Sequence, residues 1–149
     1  MEIVRKMNVP VEFLYEIIIK SVLTDIHSHT GKELTENQLT GFKYNKTFAK
    51  NNKATIQIEE AIKNKSYQFR TITDKNDFLV SYQLRALTEK TCELSYSEKM
   101  DSYGYLQKIN DAFVGMIWSR LKKRRFYEML NQIEASYGKG NDEMEGKIL

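Results

Sequence analysis

The chain has 149 residues, 41% of them hydrophobic and 29% charged, with a net charge of +3, which describes one globular domain around a single core. So mild a charge gives no reason to expect a nucleic-acid partner, and a single cysteine, Cys92, excludes an intrachain disulfide. No apolar run approaches the roughly 20 residues that cross a bilayer, and the stretch from Met1 to Lys6 has no targeting core, so a cytoplasmic protein is expected.

In chain order, Glu2 to Asn8 reads as a short strand with Ile3 and Met7 on one face and Arg5 in phase with them. Pro10 suits the first turn of a helix, where its missing N–H would be unpaired anyway. That helix runs to about His29, with Leu14, Ile17, Ile18, Val22 and Ile26 at helical spacing and Gly31 as its stop. Thr35 to Gln38 has the spacing of a capping box and predicts a brief helical turn.

From Gly41 the period changes to two. Phe42, Tyr44, Lys46 and Phe48 share a face, then Ala54, Ile56, Ile58, Glu60 and Ile62. Tyr67, Phe69, Thr71 and Thr73 follow, then Phe78, Val80, Tyr82 and Leu84, and last Cys92, Leu94, Tyr96, Glu98 and Met100. Short polar turns join these five runs, which predicts an antiparallel meander with one buried face.

Tyr105 to Tyr137 reads as one long helix that covers this face. It has two apolar stripes, Leu106, Ile109, Phe113, Met116 and Ile117 first, then Phe126, Met129, Leu130, Ile133 and Tyr137. Val114 and Trp118 lie off the first stripe, facing the first helix, a second subunit or a membrane. A basic run, Arg120 and Lys122 to Arg125, separates the stripes. It reads first as a solvated, ion-paired turn, with an anionic lipid surface as the weaker alternative. Lys139 to Leu149 is polar and is expected to be a disordered tail, leaving residues 1–137 as the domain.

Three stretches carry a family resemblance: Met7-Asn8-Val9-Pro10-Val11-Glu12-Phe13, the run from Leu39 to Phe48, and Leu106 to Asp111 with Lys122-Lys123-Arg124-Arg125-Phe126 after it. With the order of elements, they make the chain resemble the START-like, or helix-grip, superfamily. Within it, the chain resembles an uncharacterised bacterial family, a domain of unknown function. The resemblance covers roughly residues 1–137 and implies an α+β fold, a curved antiparallel sheet of about six strands wrapped on a long C-terminal helix with a cavity between. Larger members have seven strands, a departure that bears on cavity size. The family brings no catalytic residues to carry over.

Charges on apolar strand faces cost several kcal/mol unless paired or wet. Lys46, Glu60 and Glu98 stand in such places, and so do Tyr44, Tyr67, Tyr82 and Tyr96, whose hydroxyls need partners. One reading is a cavity lined by these seven residues, with Phe113 and Ile117 from the long helix, holding a small hydrophobic or amphipathic molecule. The other is that the charges sit at strand ends, or that a one-residue bulge turns them outward.

An enzyme would use Glu60 or Glu98 as general acid or base, but no second catalytic group is identifiable. A third class is an interaction module, including a homodimer, built on the long helix. Asp25 and His29, four apart on the first helix, could touch. With His27 they fall short of the converging ligands a metal needs, so neither metal nor cofactor is expected. Cys92 alternates with buried positions and reads as a core residue.

Overall fold

The computed structural model describes residues 2–48, 52–102 and 122–139. The order is β1 (Glu2–Met7), α1 (Val11–Thr30), a 3-10 turn (Glu36–Gln38), β2 (Lys43–Phe48), β3 (Asn52–Ile62), β4 (Ser66–Ile72), β5 (Asn76–Ala86) and β6 (Cys92–Ser102), then α2 over residues 122–139. All neighbouring strands pair antiparallel, in the order β1-β6-β5-β4-β3-β2. The last five strands are a meander, and α1 carries the chain from one edge of the sheet to the other.

Local chemistry sets the ends of α1. Pro10 sits at its N-cap with extended backbone, and Leu14 N–H donates to the Pro10 carbonyl at 3.2 Å. At the other end Gly31 takes φ +73°, which only glycine adopts without strain, and its N–H donates to the His27 carbonyl at 2.9 Å. The Gln38 side chain reaches back to accept from the Thr35 N–H at 3.0 Å, as the capping spacing predicts.

Both helices lie on the apolar face of the sheet. Ile3, Met7, Ile58, Leu84, Leu94 and Tyr96 supply the sheet side of the core, and Leu14, Ile19 and Ile26 the α1 side. From α2, Phe126 and Leu130 are buried and Ile133 and Tyr137 pack against the core, four of the five residues of the second stripe expected of this helix; Met129, the fifth, is exposed. Phe126 packs tilted against Tyr96 at 4.3 Å between ring centroids, and Tyr137 meets Phe13 of α1 at 4.8 Å. Gly138 was expected to end the helix, but α2 continues through it to residue 139. A glycine weakens a helix without stopping it unless its backbone turns left-handed, and Gly138 is not among the residues with positive φ.

The inward charges pair with helix residues. Arg5 donates to Asn131 Oδ1 at 2.7 Å and Glu134 Oε1 at 3.2 Å, and Lys122 Nζ donates to Glu98 Oε1 at 2.8 Å. These contacts tie α2 to β1 and β6, which are neighbours in the sheet. Arg124 pairs with Glu128 on the exposed side of α2. Residues 103–121, with the first stripe, Trp118 and Arg120, lie outside the described residues, as do residues 140–149 of the expected tail.

Leu130 is 1% exposed and Met129 is 39% exposed. Leu130→Ala should therefore cost about 3 kcal/mol in urea unfolding, and Met129→Ala less than about 1 kcal/mol. Equal losses would mean that α2 does not dock through this stripe.

Candidate functional site

Between α1, the sheet and α2 lies a cavity of about 470 Å³. Its apolar wall comes from Ile17, Ile18 and Val22 of α1, Ile56 of β3, Phe69 of β4, and Met129 and Ile133 of α2. Strand periodicity then adds polar groups to the same wall: Tyr44 and Lys46, two apart on β2; Tyr67 and Thr71 on β4; and Tyr82 on β5. Tyr67 and Tyr82 are direct cross-strand partners, with ring centroids 6.1 Å apart, and Phe69 lies 5.5 Å from Tyr67.

Asp25 organises the polar side. Tyr44 Oη donates to its Oδ2 at 2.5 Å and Lys46 Nζ to its Oδ1 at 2.9 Å. His29 Nδ1 lies 3.5 Å from the same Oδ1 and 2.9 Å from the Asp25 carbonyl. Burial pushes the Asp25 carboxyl up, but the bonds from Tyr44 and Lys46 and the nearby Lys46 and His29 charges outweigh it, so its pKa lies below the usual aspartate value. Burial, reinforced by the bond to Asp25, raises the Tyr44 phenol. Burial likewise raises Tyr67, and it pushes Tyr82 up to about 12, so all three stay protonated at neutral pH.

Of the residues expected at this site, Tyr44, Lys46, Tyr67 and Tyr82 line the cavity. Tyr96 and Glu98 face inward too, but at a second polar cluster, where Tyr96 Oη donates to Glu98 Oε2 at 3.0 Å and Lys122 takes the other oxygen. Burial raises the Glu98 carboxyl, and the bonds from Lys122 and Tyr96 more than offset it. Glu60 is the correction. The β3–β4 register shifts between Ile58 and Glu60, so Ala61, not Glu60, stands opposite the inward Tyr67. Glu60 turns to the other face and accepts from Ser66 Oγ at 3.0 Å. Phe113 and Ile117 lie outside the described residues.

Asp25 was read only as a neighbour of histidines. Its signal was present: Ile18, Val22 and Asp25 continue one helical stripe, so a carboxylate stands where an apolar residue was due. Among the described residues, no group of three His, Cys, Asp or Glu side chains could hold a metal ion. Cys92 is fully buried, and burial with the nearby Glu12 and Glu134 pushes its thiol up to about 11, so it stays a thiol. No described helix is long and apolar enough to cross a membrane.

This open six-stranded antiparallel sheet, gripped on one face by a C-terminal helix with a cavity between, is the α+β helix-grip arrangement that the START-like resemblance implies. The chain belongs to the family described as Domain of unknown function (DUF3284), whose model matches residues 1–119. Curated proteins give no match. Solved structures similar to it include SA2116 of Staphylococcus aureus, a protein of unknown function, at 11% identity and TM-score 0.59 over 93% of this chain and 96% of that one. A conserved protein of Geobacillus kaustophilus is 14% identical with TM-score 0.56, covering 91% and 95%. Mll3558 of Rhizobium loti is 12% identical with TM-score 0.51, covering 78% and 88%. Likenesses this distant show the fold alone.

Asp25 and Glu98 both have carboxyls below their ordinary values of 3.8 and 4.5. A lowered folded-state pKa adds stability above the unfolded value, and that stability is lost as pH falls through the folded one. Asp25→Asn and Glu98→Gln should each make the fall in thermal midpoint below about pH 4 shallower. An unchanged acid limb in both variants would show that these bonds do not hold the carboxylates ionised.

Proposed function

We propose that this protein binds a small hydrophobic or amphipathic molecule, without altering it, in the cavity between α1, the sheet and α2, and that it does so in the cytoplasm. The observation that carries this reading is the cavity itself. Its volume of about 470 Å³ falls within the roughly 300–1,000 Å³ of small-molecule sites, and mostly apolar walls with a few convergent polar groups are what such sites use. Tyr44, Lys46, Tyr67 and Tyr82 would meet the ligand, with Asp25 holding the first two in place. Tyr96 and Glu98 would act from behind, by fixing α2 against β6.

Binding is a better reading than catalysis because the Asp25 and Glu98 carboxyls are both held below their ordinary values, whereas a general acid or base works best with a pKa raised toward neutrality. It is also better supported than a surface role for α2. Of the basic run, Lys122 and Arg124 are engaged with Glu98 and Glu128 of the same chain.

Native mass spectrometry of untagged protein, purified from its own cells, tests the reading. The expected result is a reproducible added mass that leaves on denaturation. Val22→Trp, which fills the cavity from α1, should abolish the added mass and keep a cooperative unfolding transition. A bare mass for the wild-type protein would count against a carried ligand.

A further inference from the structure

Resting on that binding reading, we propose that the cavity selects an uncharged ligand whose polar end is a hydroxyl or carbonyl oxygen, and discriminates against carboxylates, phosphates and amines. Two independent observations carry this.

The first is charge balance. Among the described lining residues the charged ones are Asp25 and Lys46, and they are already paired at 2.9 Å, with Tyr44 on the second carboxylate oxygen. An entering carboxylate would have to share Lys46 with Asp25 and stand beside that like charge. An entering ammonium would have to displace Lys46 and leave that cation partly desolvated. Either entry adds the desolvation of the ligand's own charge. A neutral oxygen makes neither demand.

The second is the pair of tyrosines on the opposite wall. Tyr67 is only 4% exposed, yet neither its hydroxyl nor that of Tyr82 meets a hydrogen-bond partner among the described residues, and both side chains line the cavity. Among the described residues no fully buried side-chain polar atom lacks a partner, so these two hydroxyls open onto the cavity, where a ligand oxygen would meet them. Each hydroxyl can donate to a carbonyl, or donate to and accept from a hydroxyl. Both phenols stay protonated at neutral pH, so each presents a donor to a ligand oxygen. The Thr71 hydroxyl lines the same wall, and the Tyr67, Phe69 and Tyr82 rings give the ligand's body an aromatic surface to lie against.

The test is a matched series with one apolar body: naphthalene, naphthol, naphthoate and naphthylmethylammonium, titrated at neutral pH by their fluorescence. Naphthol should bind tightest, by at least about tenfold over either charged probe. Tyr67→Phe should weaken naphthol about fivefold and leave naphthalene unchanged. Asp25→Asn removes the carboxylate that holds Lys46 and should shift the preference toward naphthoate. If that variant does not fold, the Tyr67→Phe comparison decides. Naphthoate or the ammonium binding the wild-type protein as tightly as naphthol overturns the preference and leaves the binding reading standing, as does naphthalene matching naphthol. Failure of all four probes, naphthalene included, overturns the binding reading and this inference with it.

Discussion

A six-stranded open sheet with one apolar face has to be covered, and the charges placed on that face decide where the cover lies. Arg5, Lys46 and Glu98 all point toward the core side, and each is answered from a helix: Arg5 by Asn131 and Glu134, Lys46 by Asp25, Glu98 by Lys122. Unpaired, such a charge would cost several kcal/mol. The pairs therefore act as addresses. They place α2 over β1 and β6, and they place α1 over β2 at the far side. Hydrophobic burial supplies the driving force but is non-directional; the ion pairs select among ways of laying two helices on one sheet.

The cavity follows from that placement. Over β6 and β5 the gap between sheet and helix is closed by Phe126, packed tilted against Tyr96 and Tyr82. Farther across, under α1, the wall residues Ile17, Val22, Ile56 and Thr71 are aliphatic or small, and space is left. The same fold thus has a filled end and a hollow end, and the polar groups at each differ. Glu98 and Tyr96 serve packing at the filled end; Asp25, Tyr44 and Lys46 stand at the hollow one.

Much of this could be read before any coordinates. A period of two places Tyr44, Lys46, Tyr67, Tyr82, Tyr96 and Glu98 on one side of the sheet because a pleated strand alternates faces without exception while its register holds. The count of strands and the second stripe of α2 came from the same kind of periodicity. Glu60 could not be placed this way. A bulge inserts one residue and reverses the parity of everything after it, and nothing in Ile58-Glu59-Glu60-Ala61 marks the spot. Asp25 was missed for another reason. Its partners, Tyr44 and Lys46, lie on β2, and pairing across that separation in sequence is a property of the tertiary fold alone.

The bulge in β3 gives that strand something like a reading frame. Upstream of it even-numbered residues face the core, as Ala54, Ile56 and Ile58 do; downstream the odd-numbered Ala61 does. Substitutions there act one position at a time, but losing a single residue at the bulge would restore strict alternation to the end of the strand. Ala61 would stay opposite Tyr67 and Ile62 would stay outward, because the loss removes the one extra residue that the bulge holds. A residue lost elsewhere in the strand has no such spare to remove, so the bulge is where this strand can best bear a change of length.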